Sequence, residues 1–340
     1  MRLEKRTHSS SVALLLAPLG AVVFTLMISA LLVLWAGAPM GQTYGLLLQG
    51  GFGSVFALSE TLTRAIPLML TGLAAAVAFK ARLFNIGAEG QFLLGALAAA
   101  GLATKANWPV AGVLAGGAIA GAAWALVAGV LKTRRNAPEI ITTIMLNYIA
   151  LRLVEFAVRG PLQEAARSQP QTDILPERAT LSALIPNTTL HSGLFLALIC
   201  AALCWWFLFK TERGFLMRAS GENPMASRAA GIKVEKEVLF SVALSGALCG
   251  LGGAMEIAGA TKQLAASEFG YGYTAIAVAL LAGLHPLGII PAALLFGMLS
   301  SGGGAMERSA DVPAVAVSMV TGVLVCLLAV LPRWKKRGLK

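Results

Sequence analysis

The sequence contains few charged and few aromatic residues. Of its 340 residues, 13% are charged and 7% are aromatic, whereas 57% are hydrophobic and the mean hydropathy is +0.76. A soluble domain carries about 25% charged residues, so this chain could not cover its apolar surface in water. Its apolar residues form continuous runs rather than an alternating pattern, which favours transmembrane helices over a β-barrel. We therefore predict an all-α polytopic membrane protein.

Patterns typical of catalysis and metal binding are also scarce. The three histidines, His8, His191 and His285, lie far apart, and the four cysteines lie within apolar runs. Cys200 and Cys204 share a helix face, but no nearby His or acidic residue completes a metal site. The dipeptide Gly-Lys is absent, which excludes a phosphate-binding loop of the P-loop type. We expect a chain that is not an enzyme and has no metal or cofactor of its own.

The apolar runs predict about ten transmembrane helices, or eight if a short pair is re-entrant. The predicted spans are residues 12–35, 62–79, 84–103, 110–131, 140–158, 190–209, 238–259, 271–284, 287–300 and 312–331. The pair 271–284 and 287–300 is uncertain because a full crossing needs about 20 residues. Residues 37–59 are mildly amphipathic and are predicted to form an outer loop or an interfacial helix.

The chain has a net charge of +11, and the distribution of its basic residues predicts the topology. Most of the 27 Lys and Arg residues fall in short segments that this scheme places on the cytoplasmic side, a pattern typical of membrane proteins rather than of nucleic-acid binding. Both termini are then cytoplasmic: a tail of residues 1–11, a membrane domain of residues 12–331 and a basic tail of residues 332–340. Residues 159–189 form an outer loop, and residues 210–236 form the longest basic cytoplasmic loop.

Two further inferences concern the arrangement of the spans. The first apolar run is longer than the 7–15 residues of a signal-peptide core, so an uncleaved first span is favoured over a signal peptide. Spans 2–5 and 7–10 run in opposite directions, which suggests an inverted repeat with a pathway between its halves.

Polar residues at the start of the third span are candidate site residues. The stretch Phe84–Ala100 places Asn85, Glu89 and Gln91 directly before an apolar run, and Asn147 lies within the fifth span. Asn85 and Glu89 are spaced i, i+4, which would put them on one helix face. Asn85 could cap the helix, with Glu89 against the helix dipole, and Asn147 could bond a neighbouring helix. Alternatively, all four residues line a translocation path, because polar groups in the membrane are usually functional.

The basic loop of residues 210–236 contains a predicted short helix. Met225–Ala230 would be entered through Asn223-Pro224 and would end at Gly231, which matches the preference for Pro at the start and Gly after the end of a helix. A helix on the cytoplasmic face could fit a groove of another protein. The alternative is a basic anchoring loop.

Four motifs resemble those of one transporter family. They are FNIGAEGQ, ITTIMLNYIA, RASGENPMASRAAGI and YTAIAVALLAGLHPLGIIPAALLFG. They resemble permease subunits of bacterial ABC importers, in the nucleoside and simple-sugar branch of the branched-chain amino acid and ribose permease superfamily. The similarity runs from about residue 60 to residue 331.

The resemblance implies a permease domain that works with other proteins. The partners would be a second permease (as a heterodimer or a homodimer), cytoplasmic ATPase subunits that bind the ATP, and an extracytoplasmic binding protein or lipoprotein. The short cytoplasmic helix would couple this chain to the ATPase. The residues that match the family's coupling motif are Glu222, Asn223, Pro224, Ala229 and Gly231.

From this resemblance we expect a permease that carries a nucleoside or a simple sugar across the bacterial inner membrane. Two alternatives remain: an ABC permease for branched-chain amino acids, and a secondary carrier driven by an ion gradient. An intramembrane enzyme is disfavoured because the sequence has no nucleophile–base pair.

Overall fold

A computed structural model describes residues 40–310, and this part of the chain is helical. The helices are α1 (Met40–Phe52), α2 (Val55–Lys80), α3 (Ala88–Thr104), α4 (Val110–Arg135), α5 (Glu139–Arg159), α6 (Gly193–Lys210), α7 (Glu212–Glu222), α8 (Pro224–Ala229), α9 (Val234–Met255), α10 (Tyr271–Leu281) and α11 (Pro286–Ala310). Helix α9 continues as a π-helical segment, Glu256–Thr261, and a 3-10 turn covers Glu177–Ala179. Residues 40–310 contain isolated bridges but no β-strand. The prediction of an all-α fold is confirmed.

Six helical segments in the described region are long and apolar enough to cross a membrane. They are Val55–Lys80, Val110–Arg135, Glu139–Arg159, Gly193–Lys210, Val234–Thr261 and Pro286–Arg308. Helix α3, with 17 residues, and α10, with 11, are shorter. The predicted first and tenth spans and both terminal tails lie outside the described residues. The total of ten spans, the cytoplasmic termini and the inverted repeat therefore stay predictions.

Several sequence-based boundaries are wrong, and α2 begins at Val55 rather than at residue 62. The predicted short span 287–300 is part of α11, which has 25 residues and continues through the small residues after Ser300. Residues 212–222, predicted as loop, form α7. The Thr211 side chain accepts a hydrogen bond from the Gly214 backbone N–H at 3.1 Å and so caps the start of α7.

The described chain forms two compact units, one of residues 62–294 and a smaller one of residues 40–61 and 295–310. In the smaller unit, α1 packs against the second half of α11. The Ser301 hydroxyl donates a hydrogen bond to the Gly50 carbonyl at 2.9 Å. The buried apolar residues of this contact are Leu47, Leu299 and Met306.

The larger unit is built on close contact between the backbones of α3, α4 and α9. A Cβ atom added at Gly250 would lie 2.2 Å from the carbonyl oxygen of Gly117, and one added at Gly121 would lie 2.3 Å from that of Gly246. A Cβ atom added at Gly95 of α3 would lie 2.3 Å from the carbonyl oxygen of Gly250. Lipid removes the hydrophobic drive between helices, so close packing of small residues has to hold them together.

The segment between α5 and α6 is ordered by backbone hydrogen bonds to the end of α9 and the chain after it. The N–H groups of Thr172 and Leu175 donate to the carbonyls of Leu264 and Lys262, each at 2.9 Å. This pairing holds the predicted outer loop against the membrane domain.

Glu164 organises the first part of the same segment. Its carboxylate accepts hydrogen bonds from Ser168, from the Gln169 N–H and from the Gln171 side chain. These bonds, with that of the Ser168 hydroxyl the largest contributor, lower the pKa of Glu164 from 4.5 to about 2. Because the pKa is depressed, this stabilisation is complete above about pH 4.5 and is lost as the pH falls towards 2.

The glycine contacts predict the effect of a larger side chain in α9. Gly250→Val should lower the unfolding midpoint in detergent by about 3–10 °C, because overpacking costs about 1–3 kcal/mol and here the clash is with backbone atoms. Gly101→Val is the matched control, since a Cβ atom at Gly101 would meet only Leu162, at an ordinary 3.7 Å. Equal midpoints for the two variants would contradict the proposed packing.

Candidate functional site

Asn85 and Gln91 form a pair of amides that bond each other. Asn85 Nδ2 donates to Gln91 Oε1, and Gln91 Nε2 donates to Asn85 Oδ1, both at 3.0 Å. Asn85 Nδ2 also donates to the Ser245 hydroxyl, and its Oδ1 accepts from the Gly87 N–H, again at 3.0 Å. All four hydrogen-bonding positions of the Asn85 amide are therefore used inside the protein. Both amides are buried.

Asn147 caps α3 from a different helix. The N-cap position of α3 is Gly87, which has no side chain to accept a hydrogen bond. Asn147 Oδ1, on α5, accepts instead from the Gly90 N–H at 2.8 Å, and its Nδ2 donates to the Ile86 carbonyl at 3.0 Å. A Cβ atom at Gly90 would lie 2.9 Å from Asn147 Oδ1, so glycine permits this approach. The geometry agrees with an interhelical hydrogen bond.

Glu89 caps α10 in the same way. Its Oε1 accepts from the N–H groups of Phe269 and Gly270 at 3.0 and 2.8 Å, and its Oε2 accepts from that of Gly272 at 2.7 Å. The N-cap of α10 is Gly270, in the left-handed region at φ +76°. A Cβ atom at Gly272 would lie 2.1 Å from the Glu89 nitrogen. The carboxylate is fully buried and meets the positive end of the α10 dipole.

The local interpretation of these residues is corrected. Asn85 and Glu89 do not share a helix face, because α3 begins at Ala88 and Asn85 lies in the non-helical chain before it. Gly87 rather than Asn85 is the N-cap residue. Glu89 does lie in the first turn of α3, but its carboxylate bonds the N-terminus of α10.

We call the buried side chains Asn85, Glu89, Gln91 and Asn147, which hydrogen-bond neighbouring segments, the polar braces. Two exposed tyrosines near them were not predicted as site residues. Tyr148 and Tyr273 are 55% and 39% exposed, and the Tyr273 side chain lies close to that of Asn147. Tyr148 follows Asn147 in the motif ITTIMLNYIA, and Tyr273 lies in the first turn of α10. Tyr148 therefore lies on α5, beside Asn147, and Tyr273 lies on α10, which Glu89 caps.

The short helix predicted after Asn223-Pro224 is present as α8, one residue earlier than predicted. Asn223 is its N-cap: its Oδ1 accepts from the Ala226 N–H at 3.1 Å. Pro224 occupies the first helical position, where its missing N–H leaves no bond unmade. The sequence signals at this helix start are confirmed.

Gly231 ends α8 in a Schellman motif. The Ile232 N–H donates to the Ser227 carbonyl at 2.9 Å, and the Gly231 N–H donates to that of Arg228 at 3.0 Å. Gly231 has φ +84°, a conformation that favours glycine. Ala229 is the last helical residue.

The surface of α8 and its flanks is exposed and charged. The Met225 side chain is 80% exposed. Glu222 pairs with Arg82 at 3.5 Å, and Arg228 pairs with Glu235 at 2.7 Å. An exposed apolar residue within a rim of ion pairs fits a helix that docks into a groove of another protein.

The described residues offer no metal centre. No group of three or more His, Cys, Asp or Glu residues in the range 40–310 could hold an ion. The three cysteines in this range, Cys200, Cys204 and Cys249, are free thiols.

Comparison with known proteins gives one family. Residues 57–330 match the family described as the permease component of the branched-chain amino acid transport system. The chain is 36% identical to the guanosine ABC transporter permease protein NupP of Bacillus subtilis, over 95% of this chain and 97% of NupP. It is also 36% identical to the glucose ABC transporter permease protein TsgB13 of Haloferax volcanii, over 84% of this chain and 80% of TsgB13.

Bacillus subtilis has a second related guanosine permease. This protein, NupQ, is 31% identical to the chain, over 78% of this chain and 88% of NupQ. The relatives therefore include two permease proteins of one organism that are named for the same solute.

The bonds of Glu89 predict a specific loss of stability. Glu89→Gln should lower the unfolding free energy by about 2–5 kcal/mol, because an amide replaces one carboxylate oxygen with a donor and leaves buried N–H groups without an acceptor. Glu268→Gln removes the same charge from an exposed residue of the neighbouring loop and should change it by about 0.5 kcal/mol or less. Thermal unfolding in detergent measures both, and equal midpoints would show that Glu89 is not a brace.

Proposed function

This chain belongs to the family of permease components of branched-chain amino acid transport systems, whose members are transport subunits rather than enzymes, and we propose that it carries a nucleoside. The observation that supports this proposal most strongly is similarity to a guanosine permease over nearly the full length of both chains. A simple sugar is the second candidate solute, because a glucose permease of Haloferax volcanii is equally identical over a shorter range.

We propose that the chain works in a bacterial inner membrane beside a second permease. The occurrence of NupP and NupQ in one organism supports a heterodimer. Cytoplasmic ATPase subunits would bind the ATP, and an extracytoplasmic binding protein or lipoprotein would deliver the solute. The distribution of Lys and Arg supports ten spans with both termini in the cytoplasm.

We propose that Asn85, Glu89, Gln91 and Asn147 shape the translocation path rather than contact the solute. Their polar atoms bond the protein itself, which supports this role. The exposed Tyr148 side chain is a better candidate for contact with the solute, because an aromatic ring with a hydroxyl can stack on a base or sugar and also form a hydrogen bond. The braces would hold this residue in place.

Transport by the assembled complex tests the solute and the energy source. With its second permease, ATPase and binding protein in liposomes, the chain should take up radiolabelled guanosine when ATP is present, because the energy source lies on the partner subunits. A liposome with the ATPase but without ATP is the control. Uptake of glucose or leucine in preference to guanosine would contradict the nucleoside proposal. Uptake by the chain alone, driven by an ion gradient, would favour a secondary carrier.

We propose that α8 transmits ATP-driven motion to the membrane domain. Residues Asn223 and Pro224 begin this helix and Gly231 ends it, so its length and direction are set locally. Helices α7 and α9 flank α8 directly in the chain, and a Cβ atom at Gly221 of α7 would lie 2.5 Å from the Lys80 carbonyl oxygen of α2. Movement of α8 would therefore reach the short helix α7 and the two long helices α2 and α9.

The conformation of Gly231 at the end of α8 predicts which substitution impairs the coupling of ATP hydrolysis to uptake. Gly231→Val should lower solute-stimulated ATP hydrolysis and uptake several-fold, because a β-branched residue is strained at φ +84° by about 1–2 kcal/mol or more. Gly231→Asn is the matched control and should keep most of both activities, since Asn tolerates this conformation. Wild-type stimulation and uptake in the Val variant would contradict the coupling role of α8.

A further inference from the structure

Three basic side chains surround the ring of Phe209, and we call this group the Phe209 cluster. Lys80 Nζ lies 5.8 Å and Arg218 Cζ lies 5.1 Å from the centre of the Phe209 ring. The His285 ring stacks on Phe209 with centroids 5.5 Å apart and an interplanar angle of 24°. These residues come from the ends of α2 and α6, from α7 and from the turn before α11.

The cluster has little negative charge to balance it. None of the ion pairs in the described part of the chain joins Lys80, Arg218 or His285 to a carboxylate. The acidic group that acts on Lys80 is Glu222, which is exposed and paired with Arg82. Lys80 and Arg218 also repel each other. Converging cations that share only one exposed carboxylate, itself paired with Arg82, favour an anion from outside the chain.

Arg218 supplies an independent indication of a missing acceptor. Its Nε atom is buried and has no hydrogen-bond partner among the described residues. Leaving a buried donor unpaired is destabilising, and more so when the group is charged. Contact with a ring face leaves the N–H edge of a guanidinium available, and phosphate oxygens are its preferred acceptors.

The surroundings of the cluster match the membrane surface. Lys210 lies over the Trp205 ring at 5.8 Å, and Arg213 lies over the Phe240 ring at 3.9 Å. Basic and aromatic side chains together are typical of the membrane–water interface, where lipid headgroups lie.

An exposed apolar stripe on α6 leads towards the same place. Phe195, Ile199, Leu203 and Trp206 are exposed and recur at helical spacing, and the stripe ends one turn before Phe209. A phospholipid combines an acyl chain with a phosphate at its head. This layout therefore favours a lipid over a free anion.

We propose that the Phe209 cluster binds the phosphate group of an anionic phospholipid. Arg218 and Lys80 contact the phosphate oxygens, His285 closes the site over Phe209, and the acyl chains lie along the α6 stripe. The site holds a lipid at the end of α7, the helix that leads into α8. Its occupancy does not depend on the identity of the transported solute.

The test uses the purified full-length chain in a neutral detergent, with phosphatidylglycerol, phosphatidylcholine of the same acyl chains and inorganic phosphate as probes. Phosphatidylglycerol should raise the unfolding midpoint in a saturable way, and phosphatidylcholine should raise it much less. In Lys80→Gln/Arg218→Gln the apparent affinity for phosphatidylglycerol should fall about tenfold or more. The control Lys233→Gln/Lys236→Gln removes two exposed charges from a nearby segment and should keep wild-type affinity.

Several results would overturn the proposal. An equal shift with phosphatidylcholine, or equal losses in both double variants, would show a general effect of lipid or surface charge. An equal shift with inorganic phosphate at the same concentration would overturn the assignment to a lipid. If the Lys80→Gln/Arg218→Gln variant does not purify as a folded protein, Arg218→Lys replaces it: this variant keeps the charge but loses Nε, and unchanged affinity in it would exclude the guanidinium contact.

Discussion

The membrane domain depends on capping of its helices by side chains from other helices. Helices α3 and α10 both begin after a glycine that cannot cap them, and their N–H groups are buried in a protein that must satisfy every backbone group internally. Asn147 and Glu89 provide the acceptors. Each of these hydrogen bonds therefore joins two helices and also caps the N-terminus of one of them. A helix can keep its terminal N–H groups bonded only if it stays in position against its neighbour. By contrast, α8 is capped by its own Asn223, as suits a helix exposed to water.

This constraint explains why glycine lies next to each polar brace. Asn147 reaches the Gly90 N–H, and Glu89 reaches the Gly272 N–H, only because neither glycine has a Cβ atom in the way. The same absence lets Gly250 meet Gly117 further along. Close approach brings the polar groups into bonding distance, and the bonds then oppose separation of the helices. Dispersion and hydrogen bonding thus act on the same contacts, where lipid provides no hydrophobic drive.

The sequence predicted what depends on local pattern and missed what depends on distant contacts. Apolar runs located the long helices, and Asn223-Pro224 with Gly231 located α8, because those signals act within one turn. The polar stretch at Asn85 was identified as important but assigned to its own helix. Nothing in a spacing of four residues reveals that Glu89 bonds chain some 180 residues away. The Phe209 cluster was missed for the same reason, since four separate segments contribute to it.

A transporter must move while its buried backbone stays bonded, and this requirement indicates which parts can move. Separating α3 from α5 or α10 would leave the N–H groups bonded by Asn147 and Glu89 without acceptors in a medium that offers none. These three helices should therefore move as one body. Helix α8 carries its own caps and can tilt without breaking them. If α8 has the coupling role proposed above, a cycle driven from it would work by rigid-body rotation of the braced helices, with the change of access at the surfaces between bodies.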